Sequence, residues 1–331
     1  MNPVQFRVHI EAYLDLRSSL GFQTEYESYH LRALSDYVDA KGFSWPIRTQ
    51  TILDWIGAAA LHCGLPGQRM RLTQARCFLK YLKAIVPETE VPGPGLLPCQ
   101  PRPKPRLYSH DEITKLQQAT SQLWKPGSLS QRTPYFIIGL LASTGLRAGE
   151  VIALTVDDVR LDSDPPQLHI RKAKFYKSRI VPIHSSTADQ LRAYLQERNR
   201  VKLRQPSKAF FITGRRLPLS YSALRRMFRQ LVQSVGIKNA GCKRGPLLHS
   251  FRHGFAVQRL LAWYADNLDV RAMIPHLSVY LGHLSKEETY WYLTATPELL
   301  TAAGDAFRRS CGKWIRVCLP LNLSSNPEFS Q

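Results

Sequence analysis

The sequence predicts a mainly α-helical protein of two domains with one small β-hairpin. Three observations carry this reading. Apolar residues recur at helical spacing through most of the chain. A proline-rich stretch, Pro87 to Pro105, interrupts them, and two strand-like runs in the second half flank a strongly basic turn. At 331 residues the chain exceeds one ordinary domain and is long enough to bury two cores.

The first domain, residues 1–86, reads as four helices. Ile10, Tyr13, Leu14, Leu16 and Leu20 mark one, and Leu31, Leu34, Tyr37 and Val38 mark the next, with Gly21, Lys41-Gly42 and Pro46 as punctuation. Thr49 or Thr51 caps a third running to Ala60. The fourth, Arg69 to Ala84, interleaves Arg69, Arg71, Arg76, Lys80 and Lys83 with Leu72, Phe78, Leu79 and Leu82. Those cations suit a nucleic-acid surface, and equally a solvated helix face.

Residues 87–107 form the expected linker. Seven prolines between 87 and 105 deny the backbone a run of helical hydrogen bonds, and Arg102 and Lys104 make it basic. An extended cationic connector can pass over a phosphate backbone or act as a plain spacer.

The second domain, residues 108–310, opens with Ser109-His110-Asp111-Glu112, a capping-box pattern. Pro134 to Leu146 reads as a buried helix that delivers Arg147 at its end, and Val151 to Leu154 as its continuation past Gly149. Short strands are expected near Asp158 to Leu161, Gln167 to Ala173 and Ser178 to His184, the last two forming the hairpin. Between them stand Arg171, Lys172, Lys174, Lys177 and Arg179, five basic residues in nine. Helices follow at Thr187 to Arg198, Tyr221 to Val235, Ser250 to Tyr264, Val270 to Leu281 and Pro297 to Arg309. Residues 311–331 read as a tail with an apolar middle.

Lys plus Arg number 45 against 25 Asp plus Glu, a formal charge of +20, which points to a polyanionic partner. Charge alone does not separate DNA from RNA or an anionic membrane. No apolar run approaches the length of a membrane span and the N-terminus lacks a signal-peptide pattern, so a cytoplasmic protein with no membrane partner is expected. The six cysteines, at 63, 77, 99, 242, 311 and 318, include no Cys-x-x-Cys and no zinc-finger spacing, which fits free thiols and no metal site.

Chemistry concentrates in three segments: Arg147 in Ser143-Thr144-Gly145-Leu146-Arg147-Ala148-Gly149-Glu150, the pair His249 and Arg252 in His249-Ser250-Phe251-Arg252-His253, and the stretch from Leu281-Gly282-His283 to Tyr290-Trp291-Tyr292. A tyrosine hydroxyl is a weak nucleophile at neutral pH unless its target is neutralised by cations or a neighbour takes its proton. Two guanidiniums offer paired donors to the non-bridging oxygens of a phosphodiester, and histidines three and more residues away can donate to the same oxygens or help remove the phenol proton.

In that order and at those separations the segments resemble the tyrosine recombinase, or phage integrase, family. The resemblance implies a helical core-binding domain followed by a tyrosine-recombinase catalytic domain. It implies breakage and rejoining of double-stranded DNA recombination sites through a 3′-phosphotyrosyl intermediate, by a homo-oligomer, a tetramer, on DNA, without cofactor or metal, and in a protein of this kind as part of a mobile element. The catalytic set it implies is Arg147, Lys174, His249, Arg252, His283 and Tyr292, with Glu150 as a supporting carboxylate. Its spacing from His283, with Thr289 three residues before, selects Tyr292 over Tyr290. Lys174-Phe175-Tyr176-Lys177-Ser178-Arg179-Ile180-Val181-Pro182 resembles the family's hairpin pattern with Lys174 as general acid, which leaves Lys172, Lys177 and Arg179, with Arg102 and Lys104, as phosphate contacts. Two features depart from the pattern: 31 residues separate Arg252 from His283, a long interval, and Thr294 stands where many relatives carry His. A type IB topoisomerase-like enzyme and a non-catalytic DNA-binding regulator are the alternative readings.

Overall fold

The computed structural model describes residues 3–42, 45–60, 62–98, 106–171, 178–202, 207–237, 247–283, 285, 287–294 and 296–318. Arg102, Lys104, Lys172, Lys174 and Lys177, and the tail beyond residue 318, lie outside that set. The chain divides into two compact units, Met1–Arg102 and Pro103–Gln331.

Four helices make the first unit: α1 (Pro3–Ser19), α2 (Glu25–Lys41), α3 (Thr49–Ala60) and α4 (Leu65–Ile85). Their apolar faces meet in a core of Phe6, Ile10, Leu31, Leu34, Ile52, Trp55, Phe78, Leu79 and Leu82. α4 starts four residues earlier than its periodicity suggests, because Pro66 occupies the first turn, where a missing N–H costs nothing. The start of the proline-rich stretch belongs to this unit rather than to a free connector. Val91 and Leu97 pack on the core, Thr89 is buried, and the Glu90 carboxylate accepts from the Thr49 backbone N–H (2.8 Å) and from Arg48 (2.7 Å). Prolines preclude a helix here without precluding a packed extended segment.

In the second unit, α5 (His110–Leu123) begins with the expected reciprocal capping pair, Ser109 and Glu112. Arg106, just before it, is turned inward onto Glu112 and the Tyr108 ring. α6 (Leu129–Thr144) includes Pro134 in its second turn instead of starting there. It stops at Gly145, whose φ of 63° is left-handed, so that α7 (Ala148–Ala153) is a separate short helix with Arg147 as its N-cap and not a continuation of α6.

Three strands, β1 (Val159–Arg160), β2 (Gln167–Ile170) and β3 (Arg179–Pro182), form an antiparallel sheet in that order, with Leu168 opposite both Val159 and Val181. The expected hairpin is present, its turn falling at residues outside the described set. α8 (Ser185–Asn199), α9 (Tyr221–Ser234), α10 (His249–Ala265), α11 (Val270–Leu281), α12 (Glu287–Tyr290), a 3-10 turn (Trp291–Thr294) and α13 (Pro297–Cys318) complete the unit. α13 continues through the start of the expected tail at Cys311.

α10 separates two cores. Its Phe251 lies in a large core with α5, α6, α8, α9 and the sheet, whereas Ala256, Val257 and Leu260 lie in a second one with Ile274, Leu277, Tyr292 and Leu299. Burial on both sides leaves α10 little freedom to rotate about its axis, and this sets where its polar residues point.

Candidate active site

The site grows from two helix ends that are each capped by a left-handed glycine, Gly145 after α6 and Gly282 after α11. After Gly145 the chain turns to put Arg147 at the head of α7, where its backbone N–H donates to Glu150 Oε2 (3.0 Å) and its guanidinium donates to Glu150 Oε1 (2.9 Å). The remaining terminal nitrogen of Arg147 donates to the Gly282 carbonyl (3.1 Å), 135 residues away. Gly282 ends α11 with φ 68°. A Cβ there would lie 2.8 Å from Arg179 Nη1, so the glycine of the Leu281-Gly282-His283 motif serves both the left-handed turn and the close passage of a guanidinium.

Glu150 is almost wholly buried between two arginines. Arg179 donates to both of its oxygens (3.0 and 2.9 Å) and, through Nε, to the Tyr280 carbonyl (2.9 Å). Burial by itself would raise the Glu150 pKa; the hydrogen bond and charge of Arg179, with the backbone bond and charge of Arg147, outweigh it and hold the carboxyl below its ordinary value. Arg179 was expected at a phosphate. Its side chain is only 10% exposed and all three of its nitrogens donate within the protein, so it braces the site from inside rather than presenting itself at the surface: strand β3 points it inward, onto Glu150. Arg171, at the other side of the turn, is paired with Asp158.

Arg252 is 1% exposed, and the rotation of α10 aims it at the same two helix ends: Nη1 donates to the Gly145 carbonyl (3.0 Å) and Nη2 to the Leu281 carbonyl (2.6 Å). Burial, and next the charge of Arg147, lower its pKa to about 10, which leaves it a cation at neutral pH. Arg147 and Arg179 thus share the Glu150 carboxylate while Arg252 is held by backbone carbonyls beside them, and the excess positive charge at the Gly282 turn is suited to an oxyanion.

Tyr292 lies in the 3-10 turn beneath α10, 2% exposed, whereas Tyr290 is 37% exposed. The phenol oxygen is 2.9 Å from His253 Nδ1. His283 lies nearly parallel to the phenol ring, 6.2 Å between centroids, and its Nδ1 is 2.7 Å from Thr289 Oγ1. His249 opens α10, exposed, its ring perpendicular to that of His253 at 4.6 Å. Arg147, Glu150, Arg252, His283 and Tyr292 are therefore brought together, while Lys174, Lys172, Lys177, Arg102 and Lys104 fall outside the described residues.

The contact of His253 with the phenol was not anticipated from the sequence. Its only signal was its position four residues after His249, which places both imidazoles on one face of a helix. Among the described residues no group of three or more His, Cys, Asp or Glu side chains could hold a metal ion, and no helix is long and apolar enough to cross a membrane.

Residues 106–298 match the model of the phage integrase family. The chain is 35% identical over 317 residues, 93% of its length and 98% of the relative's, to y4rB of Sinorhizobium fredii, a protein named as an integrase/recombinase. In fold it resembles the Tn1549 transposon integrase solved with transposon right-end DNA (TM-score 0.64, 14% identity, 94% of this chain and 99% of that one). It also resembles a lambda integrase tetramer bound to a Holliday junction (TM-score 0.60, 16% identity, 85% and 78%). With its family model covering the whole cluster from Arg147 to Tyr292, the chain belongs to the phage integrase family.

Proposed function

We propose that this site-specific DNA recombinase, acting in the cytoplasm for a mobile element, breaks and rejoins duplexes by attack of Tyr292 on a phosphodiester, forming a 3′-phosphotyrosyl intermediate. The observation that carries the reading is the convergence of Arg147, Arg252, His283 and Tyr292 on the turn at Gly282 from three separate parts of the chain. Arg147 and Arg252 neutralise the charge that builds on the non-bridging oxygens, and Glu150 holds Arg147 in place. His249 and His283 complete the donor set around those oxygens. Lys174 protonates the departing 5′ oxygen. The ester to tyrosine conserves the bond energy, so rejoining by a 5′ hydroxyl requires neither nucleotide nor metal. Lys172 and Lys177, with Arg102 and Lys104, contact phosphates.

Tyr292 is buried in the free chain, so binding of DNA must uncover it. Leu299 of α13 shares its core, which makes α13 the element best placed to transmit assembly to the nucleophile. The resemblance to a tetrameric lambda integrase supports a tetramer on two DNA sites, with residues from about Pro297 onward docking on the neighbouring catalytic domain.

The test is a nicked suicide substrate resolved on a denaturing gel. Tyr292→Phe binds DNA and forms no covalent adduct, and Tyr290→Phe keeps most of the activity. A covalent adduct in Tyr292→Phe would sink the assignment.

A further inference from the structure

The mechanism above leaves the proton of the phenol unassigned, and three histidines lie near it. Their geometries differ. His283 presents the flat of its ring to the phenol ring, with an interplanar angle of 21°, and its Nδ1 is engaged with Thr289 Oγ1 at 2.7 Å. A stacked imidazole offers its π face, not its in-plane lone pair, to the partner ring. His249 lies a turn away at the exposed start of α10 and meets His253 edge to face. His253, by contrast, holds its ring nitrogen Nδ1 at hydrogen-bond distance from the Tyr292 oxygen, 2.9 Å.

The position of His253 is as constrained as that of the catalytic arginine it follows. α10 is buried on both sides, by Phe251 on one and by Ala256 and Val257 on the other, and Arg252 is bonded to two helix ends. The imidazole is half-buried and also touches the Trp291 ring, 5.6 Å between centroids, on the turn that carries the nucleophile. A nitrogen held by a rigid helix against the reacting oxygen meets the geometric requirement for a general base.

We propose that His253 is the proton acceptor for Tyr292, a role distinct from the phosphate-facing roles of His249 and His283. This rests on Tyr292 being the nucleophile. The imidazole carries its own proton on Nε2 and accepts the phenol O–H at Nδ1. As the phenol oxygen forms its bond to phosphorus, the O–H bond breaks and Nδ1 gains the proton; the bond from phosphorus to the 5′ oxygen breaks, and that oxygen takes a proton from Lys174. In rejoining, the 5′ hydroxyl gives its proton back to Lys174 as it attacks phosphorus, the bond from phosphorus to the tyrosyl oxygen breaks, and His253 returns its proton to that oxygen.

The experiment is single-turnover adduct formation on the nicked substrate by full-length protein, with affinity for one DNA site measured alongside. His253→Ala slows the adduct by about 100-fold or more, in the range of a lost general base, at unchanged affinity. His253→Asn, whose amide oxygen can still accept the phenol hydrogen bond but not the proton, is as slow as His253→Ala. Fluorinated tyrosine at position 292, whose phenol gives up its proton more readily, restores most of the rate in His253→Ala and changes the wild type little. The proposal is overturned if His253→Ala stays within threefold of wild type, if His253→Asn recovers the rate, or if fluorination fails to rescue. Absence of a Tyr292 adduct in the wild-type protein, found by peptide mapping, would instead overturn the assignment of the nucleophile.

Discussion

Arg179 and Glu150 form a two-point ion pair in which both carboxylate oxygens meet both terminal nitrogens of the guanidinium, at 2.9 and 3.0 Å, with the pair nearly closed to solvent. Glu150 simultaneously holds Arg147. A cation on the hairpin thus braces an arginine of the site from inside the protein, because strand β3 begins beside α7 and α11.

Removing Arg179 leaves a buried carboxylate with half its compensation. Arg179→Ala is expected to destabilise the protein by about 3–5 kcal/mol in a urea titration at neutral pH, and Arg179→Lys to recover only part, since a single ammonium cannot span both oxygens. The pH dependence follows in sign. The folded Glu150 pKa lies below its ordinary 4.5, so its contribution is present above that value and is lost as pH falls through the lower folded one. In Arg179→Ala, burial dominates, the folded pKa rises, and acid unfolding moves to higher pH. Equal acid midpoints for variant and wild type would contradict this pairing.

Lys174 as the general acid makes a chemical prediction that simple phosphate binding does not. Lys174→Ala cleaves an ordinary substrate at least about 100-fold more slowly, the span of lost acid catalysis, and a substrate with sulfur at the bridging 5′ position restores cleavage because a thiolate leaves unprotonated. Rescue of Lys172→Ala with no rescue of Lys174→Ala would move the acid to Lys172.

α13 extends to Cys318, and its first turn is anchored by the buried Leu299. Truncation after Arg309 keeps that anchor and removes only the distal part. Single-site binding in a mobility-shift assay is expected to persist while synapsis and recombination fall at least severalfold. Full-rate recombination of two sites by the truncated protein would show that the distal part plays no role in assembly.

Charge neutralisation by Arg147 and Arg252 in place of a metal predicts cleavage in excess chelator without nucleotide, at a rate within about twofold of that in Mg²⁺, and binding that weakens steeply with salt as counterions compete for the phosphates. A strict requirement for Mg²⁺ in the cleavage step would contradict the scheme.

The helices of both units were legible from apolar spacing and capping residues, as Ser109-Glu112 and the run from Phe136 to Leu141 illustrate, because these signals act within a few residues of backbone. Arg147, Glu150, Arg252, His283 and Tyr292, which lie together in the structure, were legible too, as part of the ordered set that the resemblance implies. Which side chain meets which was not. Arg179 read as one more cation in a basic turn, and only the docking of β3 beside Glu150 and Tyr280 turned it inward. His253 read as a neighbour of Arg252, and only the packing of the Tyr292 turn under α10 put the phenol against its Nδ1. Val91 and Leu97 read as linker until the first core was seen to receive them. Periodicity specifies which face of an element is buried; pairing between residues a hundred positions apart depends on how those faces dock, and that is set by the shape of the whole core.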